Sequence, residues 1–372
     1  MSLGKILDRY AGIPLLYLVS LFPVSKKPKK KILFIKLRGM GDVVLTLPSV
    51  KLAKDKYPEY EIHYLTEEGV AVAEASGLVD KVIPFKVKSF FSTVSSIRKE
   101  EYEIVVDFEQ FVRLSSIIAR MSGAPVRIGF DSPGQYRKIG YTYPVKYKDI
   151  HTVEVFASPL RPLGITKIPG ELVSLKYSRE YEKWAKGLGA DIVIHPGSGD
   201  TGLGRRWPVN RFAKLINLLA KDGYRIAITG GPSETGICNE VYSLVKNKVK
   251  GQVVNLSGRT NLKQLFALYD SVKLVISNDT GPMHIAAAQK SKVIGLFGPN
   301  LPERYMPYCQ DCEYIYHKVN CSPCINIQLG QVPKCWNIID IEEGQKASLC
   351  MSKISIEEVY DLAKKMLKIK KK

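Results

Sequence analysis

Two stretches of this chain alternate short, β-rich apolar runs with helical patterns, and that alternation leaves few folds open. In the first stretch, residues 32–35, 61–65, 81–85, 104–106 and 126–129 read as strands. Helical patterns at 42–56, 89–99 and 112–121 separate them, with Pro48 as a first-turn residue or a kink. The pattern restarts with strands at 191–194, 225–229, 253–256, 274–277 and 293–297. Helices at 209–221, 235–246, 262–269 and 283–290 lie between them, and a last helix spans 354–367. Strands joined through helices run parallel, so the predicted class is α/β with two Rossmann-like domains. Ligands of such sheets gather at the carboxyl ends of the strands, which predicts a cleft between the domains. The predicted organisation is an apolar and basic extension over 1–30, a first domain over 31–165, a second over 166–350, and a helix with a basic tail over 351–372.

The 372 residues are enough for two domains, and 45% hydrophobic content argues against wholesale disorder. The unusual quantity is charge: 55 Lys and Arg against 36 Asp and Glu leave +19. Such an excess attracts an anion, whether nucleic acid, a membrane surface or a phosphorylated substrate. The aromatic-interleaved basic runs of nucleic-acid modules are missing, which argues against nucleic acid. No apolar run is long enough to span a bilayer. Residues 6–24 are nonetheless rich in Leu, Tyr, Val and Phe, and Lys26, Lys27, Lys29, Lys30 and Lys31 follow directly. One reading is an interfacial anchor on an anionic leaflet. The other is a helix packed on the protein itself, with a solvated lysine linker. A signal peptide fits poorly, because most of the charge follows the apolar part.

Three motifs carry chemistry. Lys36-Leu37-Arg38-Gly39-Met40-Gly41-Asp42 follows the first strand, and its glycines allow a tight turn into a helix. Asp42 there suits a general base on a hydroxyl, or simply an N-cap. Val44 breaks the dinucleotide pattern G-x-G-x-x-G, which weakens a dehydrogenase reading. His195-Pro196-Gly197-Ser198-Gly199 closes a second-domain strand, and Arg205-Arg206-Trp207-Pro208 follows after an insert. Backbone amides, the Ser198 hydroxyl and a nearby guanidinium suit a phosphate. Ser277-Asn278-Asp279-Thr280-Gly281-Pro282-Met283-His284 leaves a strand and opens a helix whose N-terminus favours an anion, with His284 one turn in.

In order and spacing these motifs resemble glycosyltransferase family 9, the bacterial heptosyltransferases, over roughly residues 31–365. The resemblance implies a GT-B fold and an inverting, metal-independent sugar transfer from ADP-heptose to the lipopolysaccharide core. It implies Asp42 as base and Ser198 and Arg205 on the donor diphosphate. It further implies Glu234 on the ribose, Thr260 near adenine, and Asp279, Thr280, Gly281 and His284 on sugar and phosphates. Family members mostly carry Lys where Arg205 stands, and the insert over 200–204 leaves the register between Arg205 and Arg206 open. No cofactor is required beyond the ADP-sugar substrate. The expected partners are the nucleotide sugar, an anionic glycan or glycolipid acceptor and a membrane surface, not nucleic acid. The implied location is cytoplasmic, peripheral at the inner face of the cytoplasmic membrane.

Six of the seven cysteines crowd residues 309–350. Cys309 and Cys312 form one C-x-x-C pair, and Cys321 and Cys324 another, with Cys335 and Cys350 beyond. Such sets bind structural zinc or form disulfides. A cytoplasmic setting disfavours disulfides, and reduced, loosely packed thiols are expected over a zinc or thiol cluster of Cys321, Cys324, Cys335 and Cys350. Cys238 reads as core. A sugar-nucleotide epimerase of the same fold, a transferase using another nucleotide sugar, and a non-catalytic anion-binding protein are the competing functions.

Overall fold

The computed structural model describes residue 8 and residues 12–199, 202–326, 331 and 333–368. They fall into two compact units, the first within Met1–Val173 and Asn326–Gln331, the second within Ser174–Ile325 and Val332–Lys372.

The first unit holds six strands: β1 (Lys29–Ile35), β2 (Glu61–Thr66), β3 (Lys81–Pro84), β4 (Tyr102–Asp107), β5 (Val126–Asp131) and β6 (Tyr143–Lys146). All pair in parallel, in the order β3-β2-β1-β4-β5-β6. Helices cover both faces of such a sheet, so its central strands lose the alternation of a half-exposed strand. Ile32, Leu33, Phe34 and Ile35 are all buried accordingly.

The second unit repeats the design with β7 (Ile192–His195), β8 (Ile226–Ile228), β9 (Val253–Asn255), β10 (Leu274–Asn278), β11 (Lys292–Phe297) and β12 (Cys312–Tyr316). The order β12-β11-β10-β7-β8-β9 is the same topology read from the other edge. The helix Val209–Lys221 buries Phe212, Leu215, Ile216 and Leu219, the three-and-four spacing of an amphipathic face. The C-terminal helix Ile356–Lys368 adds Val359, Ala363 and Met366 to the same core. Both units therefore carry the doubly wound order in which the chain reverses direction between the first and fourth strands.

Several boundaries differ from the sequence reading. The first long helix spans Met40–Lys56, so Pro48 lies well inside it, neither in the first turn nor at its edge. Its ring nitrogen offers no donor to the carbonyl of Val44. The helix read to residue 246 ends at Ser243 and gives way to a 3-10 turn over Asn247–Gln252. The helix Gly281–Ala288 starts two residues earlier than expected, because Pro282 tolerates the first turn, where no amide hydrogen is needed. Periodicity missed the helix Arg179–Leu188, bracketed by a Ser178 cap and a left-handed Gly189.

Among the described residues no helix is long and apolar enough to cross a membrane. The helix Gly12–Val19 packs Leu16 and Val19 against Ile117, which accords with the packed-helix reading for one of its faces. The Arg98 guanidinium donates to the Pro23 carbonyl at 3.1 Å and pins the segment that follows. Leu15, Tyr17, Leu18 and Leu21 remain exposed, Leu18 at 68% and Leu21 at 86%.

Candidate active site

In the first unit the reversal point lies between β1 and β4, and the chain leaving those two strands builds one charged cluster there. Gly39 turns the chain at φ 82°, and a Cβ on it would stand 2.8 Å from an Asp42 carboxylate oxygen. Glycine is thus required twice over, by dihedral and by space. Gly39 is the N-cap of the helix Met40–Lys56, and Asp42 sits in its first turn instead of capping it. The helix N-terminus favours its ionised form.

Lys36 is only 2% exposed. Its ammonium donates to the Arg38 carbonyl at 2.7 Å and to Glu109 Oε2 at 3.2 Å, and lies 3.1 Å from Asp42 Oδ2. Burial lowers the pKa of Lys36, yet the Glu109 and Asp42 carboxylates outweigh it and hold the value above that of an ordinary lysine. Glu109, wholly buried, also accepts the amides of Leu37 and Arg38 at 2.8 and 2.9 Å. Behind it, Arg137 donates to the Glu109 carbonyl and to Asp107 Oδ2, and the Tyr141 hydroxyl donates to the same Asp107 oxygen at 2.6 Å. Burial pushes the Asp107 carboxyl up, and Arg137 and Tyr141 work against that rise.

In the second unit the corresponding reversal lies between β7 and β10. The turn after β7 brings Ser198 and Gly199 beside Arg206, whose Nε donates to Ser198 Oγ at 3.2 Å and whose Nη2 donates to the Gly199 carbonyl at 3.4 Å. Ser198 Oγ itself donates to the Gly202 carbonyl at 2.8 Å. Arg205 reaches both loops: its Nη1 donates to the Asp279 carbonyl at 2.8 Å, at the turn that follows β10, and its Nη2 makes a longer bond to the Ser198 carbonyl at 3.5 Å. The two arginines left open by the sequence thus do different work. Arg206 braces the glycine turn, and Arg205 reaches the helix mouth.

Asp279 is buried, which pushes its carboxyl up, while Arg205 at 3.8 Å and the Asn300 amide at 3.1 Å favour the carboxylate. Thr280 caps the helix Gly281–Ala288 in an extended conformation, so the amides of that turn stay in the helix mouth. His284 is buried one turn in, its ring 6.2 Å from that of Tyr305. Glu234 accepts the amides of Gly199 and Gly231 at 2.8 and 2.9 Å and lies 3.4 Å from His195 Nε2. Burial would raise its carboxyl, but His195 and the two amides hold it down at about 2. A Cβ on Gly197 would collide with that carboxylate, which accounts for glycine there. Thr260 lies half-buried between β9 and the helix Leu262–Ser271.

Sequence reasoning missed the residues that tie these loops together. Asn278 donates to the carbonyls of Pro196 and Gly197 at 2.9 and 3.1 Å and accepts the Trp207 amide at 3.1 Å. It joins both second-unit motifs, and its place at the end of a strand next to Asp279 was the available signal. Lys36 was legible in the same way, at the end of β1. Glu109 stood in no motif.

The cysteines divide into two groups. Cys309 and Cys312 are joined by a disulfide with Cα atoms 5.4 Å apart, a correction to the expectation of reduced thiols. Cys321, Cys324, Cys335 and Cys350 are free and line one cavity of about 30 Å³ together with Gly204 and Arg205. Burial, with the neighbouring thiols, pushes Cys350 up to about 12. Among the described residues no group of three or more His, Cys, Asp or Glu is arranged to hold a metal ion. Cys238 is buried core, as read.

Two Rossmann-like units, one with a carboxylate at its reversal point and the other with a glycine turn, an arginine and a helix mouth, describe a sugar-nucleotide transferase of the GT-B class. The sequence model of glycosyltransferase family 9 (heptosyltransferase) matches residues 90–331. A lipooligosaccharide heptosyltransferase 2 from Campylobacter jejuni is 30% identical over 334 residues, covering 88% of this chain and 96% of the relative. A lipopolysaccharide heptosyltransferase 3 from Escherichia coli K12 is 28% identical over 284 residues, 70% of this chain and 80% of the relative. The solved structure of an Escherichia coli ADP-heptose lipopolysaccharide heptosyltransferase II matches with a TM-score of 0.73 at 19% identity, covering 91% of this chain and 98% of that one. This chain belongs to glycosyltransferase family 9 and is a glycosyltransferase.

Proposed function

We propose that this enzyme moves a heptose from ADP-heptose onto the core of a lipopolysaccharide or lipooligosaccharide, inverting the anomeric centre, with Asp42 as general base. The observation that carries the reading is the Asp42 carboxylate, paired with a buried ammonium at the reversal point of the first sheet. The relatives' names supply the sugar and the acceptor class. In a single displacement the acceptor oxygen attacks the anomeric carbon as Asp42 takes its proton. The bond to the diphosphate breaks, and negative charge grows on the departing ADP. Arg205 and the amides of Thr280 and Gly281 are the fixed donors that would meet it. Ser198, Glu234, Thr260, Asp279 and His284 complete the donor site in this reading, with Glu234 toward the ribose and Thr260 toward the adenine.

The excess positive charge and the exposed Leu15, Leu18 and Leu21 beside Lys26 and Lys27 support peripheral attachment to an anionic leaflet. An acceptor carried on a lipid would be met there, on the cytoplasmic side. The test is incubation with ADP-heptose, other ADP-sugars and UDP- and GDP-sugars, each with and without a core-type acceptor. Heptosylated acceptor with ADP release is expected from ADP-heptose alone. Conversion of a donor to its epimer without transfer would overturn the reading in favour of the epimerase.

A further inference from the structure

We propose that Lys36 is a positioning residue that keeps the Asp42 carboxylate ionised and aimed, and that Glu109 is the fixed counter-charge that sets how strongly Lys36 does so. The proposal rests on Asp42 being the base. An ammonium has three donors, and Lys36 has three acceptors within 3.2 Å: the Arg38 carbonyl, Asp42 Oδ2 and Glu109 Oε2. It has no slack to follow Asp42 elsewhere, so the carboxylate is held where Lys36 holds it. Glu109 is equally constrained, gripped by the amides of Leu37 and Arg38 and by Arg137 on its own carbonyl. The chain between Ile35 and Asp42 and the chain after Asp107 are thus tied through one buried cation.

The electrostatics of this arrangement have a sign. Lys36 lies 3.1 Å from Asp42 and 3.2 Å from Glu109, and its charge favours the ionised form of Asp42. Without it, Asp42 and Glu109 face each other as like charges, and the base binds its proton more tightly. Without the Glu109 charge, its repulsion of the Asp42 carboxylate is gone while the attraction of Lys36 stays, and the base becomes weaker. Among the described residues, the titratable groups near Asp42 include Arg38 in the same turn, Glu68 on the Gly39 amide, and Tyr64 on β2. The helices Val70–Ala75 and Thr152–Ala157 packed on its own helix carry Glu74 and Glu154, with His151 as the cap of the second. None of these changes in the variants below, so the two substitutions alone determine the direction.

The test is the pH profile of kcat/KM for wild type, Lys36→Met, Lys36→Arg, Glu109→Gln and Asp42→Asn. Removing an opposite charge at this distance moves a carboxylate by about one to three pH units. The acid limb should therefore move up by that amount in Lys36→Met, return most of the way in Lys36→Arg, and move down in Glu109→Gln. Melting temperature and ADP affinity, read alongside, report folding. A residue that merely shaped the turn would lower kcat in both variants and leave the limb in place. An unmoved limb, or shifts of the same sign in Lys36→Met and Glu109→Gln, overturns the proposal while leaving Asp42 as base. If Lys36→Met does not fold, a limb that fails to move down in the isosteric Glu109→Gln still overturns it. An active Asp42→Asn that keeps the acid limb instead removes the reading on which the proposal rests.

Discussion

Arg205 donates to the backbone carbonyl of Asp279 at 2.8 Å across two loops that leave neighbouring strands, β7 and β10. A guanidinium has five donors in a fixed fork, and this bond, with the longer one from Nη2 to the Ser198 carbonyl at 3.5 Å, holds the fork at the helix mouth. Arg206 spends its fork on Ser198 and Gly199.

That division predicts unequal effects of two adjacent substitutions. Arg205→Ala should weaken ADP binding by roughly 10- to 100-fold, the cost of about 1.5–3 kcal/mol for a charge-assisted partner. Adenosine, which lacks phosphates, should bind nearly as before. Arg206→Ala should weaken ADP less, through a looser glycine turn. Calorimetric titration of both variants with ADP and adenosine measures this. The reverse ranking would reassign the diphosphate contact to Arg206.

Asp42→Asn should abolish transfer while donor affinity stays near wild type, because the carboxylate acts on the acceptor hydroxyl. Loss of a general base costs about 10²-fold or more in rate. Turnover above about a tenth of wild type, measured as ADP release with acceptor present, contradicts the assignment.

Glu234 makes stability depend on acid. Its carboxyl sits at about 2 in the folded protein against an ordinary 4.5, so folding favours the carboxylate. The stabilisation is complete above the unfolded value and is lost as pH falls from 4.5 toward 2. Glu234→Gln should cost stability at pH 6, on the order of a few kcal/mol. The gap between variant and wild type should narrow steadily as pH is lowered toward 3. Urea unfolding across that range tests the sign, and a gap that stays constant with pH would show that the Gly199 and Gly231 amides need no charge.

The helix Gly12–Val19 and the turn that follows it should act at a membrane through their exposed side chains alone. Leu18→Ser with Leu21→Ser should reduce sedimentation with anionic vesicles and leave transfer to a water-soluble acceptor unchanged. Leu16→Ser, on the buried face, should instead lower the melting temperature. Vesicle binding that survives the double substitution leaves those exposed side chains without a role in attachment.

Much of this protein was legible along the chain. Parallel sheets buried on both faces leave continuous apolar runs, so β1 and β7 stand out, and glycines at strand ends mark the turns that follow. Local pattern therefore determined two α/β units and placed Asp42, Ser198, Asp279 and His284 in the turns and first helical turns that follow strands. It could not decide which residues meet. Glu109 belongs to no motif, and it reaches Lys36 only because β1 and β4 are neighbours in the sheet. Asn278 joins the two second-unit loops because β7 and β10 pair. Which of Arg205 and Arg206 reaches the helix mouth depends on how the 3-10 turn Leu203–Arg205 is held against Asp279 and Ser198. Periodicity is set by each residue's nearest neighbours along the chain, whereas these pairings arise from strand order, which only the packed sheets decide.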